Sequence, residues 1–311
     1  LIGTNPRYEA TILNARIRKA YLQNKVKIIS LNDVGDLTYP YKSLNGDIKE
    51  IQNITEDKHE ISNMIKNAKK PLIILGQSAL KTKSSKAIFE SIKTFLIKNK
   101  KISNEWNSLN VISENAATVG SFDLGIYKTV DGTNEVLNDL ENHKFEIVFL
   151  LGQDDLKFKK KNEFIIYQGS HGDKGAEMAD IILPGAAYTE QNGYFTNLEG
   201  KLQKAYKASY PPEDSKEDWQ IINELAEAMN HRKLFNDKDE LDSSLLNYIN
   251  LFIEKNNSKK NLDIKDLNFS NEKLEIINED YYYSNAIARA SKTMLECKCA
   301  KADLKSTGTE G

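Results

Sequence analysis

Cysteine, histidine and arginine are all scarce. Cys297, Cys299, His59, His143, His171 and His231 are the whole stock of thiol and imidazole ligands in 311 residues. Structural zinc and iron–sulfur centres take about four ligands at set spacings, so no resident metal is predicted. One residue apart, the two thiols are poorly placed to bridge each other. That excludes a disulfide framework and points to a reducing compartment. One C-x-C pair without further ligands reads as structural thiols rather than a metal site. No apolar run approaches the roughly 18 residues of a membrane-spanning helix, so direct membrane insertion is not expected. No excess of charge is present either. Lys and Arg number 43 against 45 Asp and Glu, a net charge of −2, which gives no electrostatic case for nucleic acid. Only Arg7, Arg16, Arg18, Arg232 and Arg289 are arginines; with abundant Lys, Asn and Ile, this reads as codon bias. The opening residues lack a signal-peptide pattern.

What is present is a globular composition: 40% hydrophobic and 28% charged residues, with a mean hydropathy of −0.55. The length suits one large or two ordinary domains. The start, Leu1-Ile2-Gly3 without Met, reads as the end of a strand entering a helix, as expected of a chain with a preceding part. Asn5 and Pro6 form a helix start, and Ala10, Leu13, Ile17 and Ala20 recur at helical spacing to about residue 23. Residues 26–31 read as a strand, 32–53 as a linker or long loop. Thr55 is a candidate cap for a helix to about residue 68 with Ile61, Met64 and Ile65 as its buried stripe. Strands are predicted at 71–76, 109–113, 146–151, 164–168 and 180–183. Helices are predicted at 79–98, with Ile88, Ile92, Phe95 and Leu96 inward, and at 136–142. Strands alternating with helices argue for an α/β fold with a doubly wound, mainly parallel sheet. Near-continuous apolar strands fit a sheet covered on both faces. The predicted division is the end of a preceding α/β subdomain (1–35), linker and helix (36–69), a Rossmann-like α/β domain (70–214), a helical C-terminal extension (215–300) and a disordered tail (301–311).

Three strand–glycine–helix junctions, at Gly3, Gly76 and Gly152, stand where doubly wound folds bind anions. None carries a dinucleotide or P-loop fingerprint, and Asp154 and Asp155 at the third would repel a phosphate. Plain βα turns are the preferred reading. Segment 171–204 is the most distinctive. Asp180, Glu190, Asn192, Thr196, Asn197 and Glu199 either bind a ligand there or satisfy the backbone of an ordered loop; the second reading is preferred. Gly185, Gly193 and Gly200 are expected where a side chain would clash or φ is positive, with Asn192 and Asn197 bonded to the loop's own backbone. The run Lys157 to Lys161 either touches an anionic partner or is a solvated loop, the latter preferred. No triad, Cys/His pair or carboxylate pair stands out. No catalytic, cofactor-binding or metal-ligating residue is assigned.

Residues 3–22 (GTNPRYEATILNARIRKAYL), 71–80 (PLIILGQSAL), 179–226 (from ADIILPGAAYTEQNGYFTNLEGK to its end at INELA) and 283–297 (YSNAIARASKTMLEC) together resemble the C-terminal half of the largest iron–sulfur subunits of respiratory complex I, the NADH-quinone oxidoreductase. The pattern NG-x-x-TN-x-EG at 192–200 is similar to the wider molybdopterin oxidoreductase superfamily. The resemblance implies an α/β molybdopterin-oxidoreductase fold that has lost its molybdenum cofactor. It implies a structural and assembly role supporting electron transfer from NADH to quinone in a proton-pumping translocase. It further implies 2Fe–2S and 4Fe–4S clusters held by a preceding N-terminal region, none in this chain, and other peripheral-arm subunits as partners. The location implied is peripheral to the inner membrane, on its cytoplasmic side in bacteria and matrix side in mitochondria. The rival readings are a piece of an active molybdopterin-dependent oxidoreductase of formate dehydrogenase or nitrate reductase type, and a non-enzymatic α/β binding module. Residues 230–280 match the resemblance least.

Overall fold

The computed structural model describes residues 1–113, 115–126, 133–153, 156, 158–257, 267–277 and 280–306. The chain forms two compact units, Leu1–Thr118 with Lys260–Asn278, and Val119–Lys259 with Glu279–Gly311. This division cuts the expected 70–214 segment at residue 118 and returns part of the expected extension to the first unit.

In unit 1 the elements are α1 (Pro6–Glu9), α2 (Thr11–Asn24), β1 (Ile29–Ser30), β2 (Lys42–Ser43), α3 (Lys49–Thr55), α4 (Glu60–Asn67), β3 (Ile73–Leu75), α5 (Gln77–Leu80), α6 (Ser85–Lys98) and β4 (Leu109–Val111). β1 pairs with β2 and β3 with β4, both in parallel. Residues 1–2 join the two pairs. Leu1 N donates to Ile29 O at 2.7 Å and Leu31 N to Leu1 O at 3.0 Å, while Ile2 N donates to Ile74 O and Gly76 N to Ile2 O, both at 2.9 Å. The spatial order is therefore β2, β1, residues 1–2, β3, β4, and it reverses at residues 1–2. The main core packs Leu31, Ile48, Ile51, Leu75, Ile88, Ile92, Phe95 and Leu96, with Leu274 from far along the chain. A second cluster sets Ile17 and Tyr21 of α2 against Val34, Leu37 and Tyr39.

Several sequence expectations shift. The helix expected over 5–23 breaks at Ala10, whose φ of −150° is not helical. Leu13, Ile17 and Ala20 of the expected stripe are half-buried, but the one residue that α2 fully buries is Asn14, held by bonds to Leu37 O and Tyr39 Oη. The 32–53 loop contains β2 and α3, because Ile48 and Ile51 drive into the core and Asp47 Oδ1 accepts from Lys49 N. Thr55 ends α3 instead of starting α4, its hydroxyl donating to Ile51 O. His59 caps α4, its Nδ1 accepting from Ile61 N at 3.1 Å. Of the stripe on α4, Ile61 is buried and Met64 is exposed. The 79–98 helix is two helices, broken between Leu80 and Ser85. The inward face of the second is the expected Ile88, Ile92, Phe95 and Leu96.

α7 (Thr118–Asp123) begins at the last residue of unit 1's first segment, and unit 2 continues with α8 (Thr133–Glu141), β5 (Ile147–Leu151), β6 (Phe164–Gly169), α9 (Lys174–Met178), β7 (Ile181–Pro184), β8 (Gly193–Thr196), β9 (Leu202–Ala205), α10 (Asp218–Ala228), α11 (Lys238–Asn257), α12 (Ala286–Ala290) and α13 (Lys292–Ser306), with a 3-10 turn at Tyr281–Tyr283. β5, β6 and β7 form a parallel sheet in that order. β8 and β9 are an antiparallel hairpin. Leu150, Ile165 and Tyr167 pack one face of the sheet against Leu156, Phe158, Ala176 and Met178. On the other face Ile147, Phe149, Leu151 and Phe164 are exposed, where a cover on both faces was expected. α13 runs to Ser306 through the first residues of the expected tail, since nothing in Lys301–Ser306 stops a helix; residues 307–311 lie outside the described residues.

Candidate functional site

The carboxyl edge of the unit 1 sheet brings together the first two glycine junctions. Gly3 has φ +63°, and a Cβ there would lie 2.4 Å from Ala79 N. A Cβ on Gly76 would lie 2.1 Å from Gly3 O. Both glycines are thus needed so that backbone can pack on backbone, not to let a phosphate approach. Beside them Asn5 caps α1: Oδ1 accepts from Arg7 N at 3.0 Å, and Nδ2 donates to Val34 O at 2.7 Å. Glu9 folds back over this turn. Its Oε1 accepts from Asn5 N at 2.5 Å and its Oε2 from the Thr4 hydroxyl at 2.9 Å. The N–H group that would greet an anion is therefore already bonded to a carboxylate. Gly152 has φ +63° in open space. Asp154, Asp155 and Lys157 lie outside the described residues.

The loop after β7 is held by side-chain bonds, and one departs from expectation: Asn192 reaches past the loop to Lys207, after β9, instead of to the loop's own backbone. Glu190 Oε2 accepts from Ala187 N, Asn192 Oδ1 from Lys207 N, and Asn197 Oδ1 from both Glu199 N and Lys201 N, all at 2.9 Å. Thr196 donates to Asp123 Oδ2 at 2.8 Å, and Glu199 is exposed. Asp180 stands apart at the start of β7, accepting from Lys160 Nζ at 2.6 Å and Ile165 N at 2.8 Å. Those bonds hold its carboxyl below the usual carboxylate range. Lys160 is thereby an internal ion-pair partner. Of the three loop glycines, Gly200 has φ +76° and Gly185 would meet Asp218 Oδ1 at 2.9 Å. Gly193 departs from expectation: it lies in β8 with open space around it and no positive φ.

Sequence reasoning passed over the group that anchors this loop. Asp218 accepts from Gln168 Nε2 at 2.9 Å and from Gln191 Nε2 at 3.0 Å. Gln168 is fully buried at the end of β6. The available signal was a glutamine closing the apolar run FIIYQ, which a buried strand end tolerates only with a partner.

The remaining candidates do not gather. His143 pairs with Glu163, His171 Nδ1 lies 2.9 Å from Ser170 Oγ, and His59 caps α4. Cys297 and Cys299 are free and exposed on α13. Among the described residues no three His, Cys, Asp or Glu side chains could share a metal ion.

The sequence model of the family described as molybdopterin oxidoreductase matches residues 1–228. The chain belongs to that family. It is 36% identical over 306 residues to the NADH-ubiquinone oxidoreductase 75 kDa subunit of Reclinomonas americana, covering 96% of this chain and 44% of that protein. It is 37% identical to a subunit of NADH-quinone oxidoreductase from Rickettsia bellii, covering 99% of this chain and 44% of that protein. It is 33% identical to the mitochondrial NADH-ubiquinone oxidoreductase 78 kDa subunit of Candida albicans, over 96% and 42%. The chain thus spans less than half the length of these relatives, along nearly the whole of its own.

Proposed function

We propose that this chain is a structural and assembly portion of the peripheral iron–sulfur subunit of NADH:quinone oxidoreductase, supporting electron transfer from NADH to quinone without carrying a redox centre itself. The observation that carries the reading is the similarity to subunits of that enzyme, which covers 99% of this chain and so extends past residue 228, where the molybdopterin-family match stops. On this reading unit 1 is the doubly wound part of the molybdopterin-oxidoreductase fold and α10 to α13 are a helical extension. The iron–sulfur clusters belong to parts of the relatives that this chain does not span, and its partners are other peripheral-arm subunits. Among the described residues no helix is long and apolar enough to cross a membrane, so attachment would run through those partners, on the cytoplasmic or matrix side.

The rival, an active molybdopterin enzyme, meets residues that do not fit the group. The turn after residues 1–2 is closed by the Glu9 carboxylate, and a phosphate there would face like charge. Gly3 and Gly76 leave no gap between them.

The test is co-purification. A tagged chain expressed in a host that makes this enzyme is expected to migrate with the assembled NADH:quinone oxidoreductase on native gels. Migration as a free chain, with enzyme assembly unaffected by its loss, would overturn the proposal.

A further inference from the structure

In open α/β sheets, ligands bind beyond the carboxyl ends of the strands where the strand order reverses. Here the reversal lies at residues 1–2, between β1 and β3, and the chain itself crosses it. After leaving unit 1 at residue 118, the backbone returns with residues 267–277. Ser270 N donates to Ser84 Oγ at 2.9 Å, at the start of α6. Ile48 N donates to Glu272 O at 3.3 Å, and Leu274 N to Gly46 O at 2.8 Å, just beyond β2. Leu274 is 3% exposed and packs in the core with Leu31 and Leu75, the residues at the carboxyl ends of β1 and β3. Ile276 packs against the Val34 cluster. Ile277 N donates to Ser78 Oγ at 2.9 Å, in the first turn after β3. What remains beside Asn5 and Asn32 is an open recess of about 370 Å³ bordered by Asp33 and Glu275.

We infer that residues 269–277 are the resident occupant of this crevice: a strap of the chain's own backbone that fills the place where an open α/β sheet would bind a nucleotide. Three observations support it independently. The strap satisfies backbone and hydroxyl groups on three separate elements around the reversal point, as a bound ligand would. Its apolar side chains complete the unit 1 core instead of resting on its surface. It also lies beyond residue 228, where the molybdopterin-oxidoreductase match ends, so it comes from sequence outside that match. The inference goes beyond the complex I assignment and stands on unit 1 alone.

The test uses the full chain with Cys297→Ser and Cys299→Ser. Ser84 Oγ and Ser270 Oγ lie 2.7 Å apart, so Ser84→Cys with Ser270→Cys places two thiols within reach. Mild oxidation is expected to close one intramolecular disulfide in essentially every molecule and to raise Tm. In the unsubstituted chain, Leu274→Ala is expected to accelerate amide exchange at Gly46, Ile48 and Gly76 at least tenfold. Should that variant fail to fold, Ser78→Ala, which removes only the acceptor for Ile277 N–H, is expected to accelerate exchange at Ile277. Calorimetry with GDP as probe is expected to give no saturable heat. Absence of the disulfide, unchanged exchange in the folded variants, or GDP binding that protects the Gly3 and Gly76 amides would each overturn the inference. Failure to join the respiratory enzyme would leave it untouched.

Discussion

His143 Nδ1 lies 2.5 Å from Oε1 of Glu163, whose side chain is only 1% exposed. The Lys161 N–H, at 2.7 Å from Oε2, and Glu163's own N–H are the main influences holding this carboxyl down at about 2 against an ordinary 4.5, and the imidazole adds to them. A carboxyl depressed in the folded state contributes stability that is fully present above 4.5 and lost as pH falls from there through about 2. The unfolding midpoint in urea is therefore expected to drop more between pH 5 and pH 3 in the natural chain than in Glu163→Gln. Identical pH profiles for the two would refute the role given to the pair.

Gly76 and Gly193 make a controlled contrast. A methyl group on Gly76 drives into Gly3 O, so Gly76→Ala is expected to cost about 3 kcal/mol, the upper range for overpacking. Gly193→Val enters open space in a β-strand and is expected to stay within about 0.5 kcal/mol. Urea denaturation of the two variants reads both; equal losses would contradict the geometry.

The Asp218 carboxylate accepts from Gln168 Nε2 and Gln191 Nε2, whose other acceptors are backbone oxygens at longer range, Asp218 O at 3.4 Å and Ala186 O at 3.2 Å. Asp218→Ala is expected to cost about 1–2 kcal/mol, through the loss of two hydrogen bonds to a charged group, and to loosen the loop after β7. Faster amide exchange at Ala186 and Gly193 is the measurement. A stability change without that local effect would place the cost elsewhere.

Asn14 presents its amide to Leu37 O at 3.0 Å and accepts from Tyr39 Oη at 2.7 Å. Burial pushes the Tyr39 phenol up to about 12. Asn14→Leu would improve the apolar pattern of α2 yet is expected to destabilise by about 2 kcal/mol, because it strips partners from two buried polar groups. An absorbance titration should also show the Tyr39 ionisation altered in a variant that still folds.

What the sequence made legible was local. Residues 147–151, 164–169 and 181–184 are strands close to the expected places, because apolar β-branched runs have few alternatives. The inward face of α6 followed from helical spacing. The failures share one cause, tertiary partners that no window of residues contains. Asn14 interrupts an apolar stripe because its amide answers a carbonyl 23 residues away. Thr55 looks like a helix start, yet its hydroxyl turns back to Ile51 O. At the candidate site, Asn197 was readable as a self-bonding turn residue. The Gln168–Asp218 pair, 50 residues apart, had only the glutamine as a signal. Leu274 gave no hint that it would complete a core begun by Leu31.

Because the Ser84–Ser270 contact closes over 186 residues, synthesis itself acquires an order. At roughly 5–20 residues per second, the first 118 residues emerge many seconds before the piece that finishes their core. Through that interval Leu31, Ile48 and Leu75 lack their last neighbour, and the nascent chain presents apolar surface of the kind chaperones bind. The loop-closure cost grows only slowly with length, so the final state is scarcely penalised for the detour. The burden falls on the time taken to reach it.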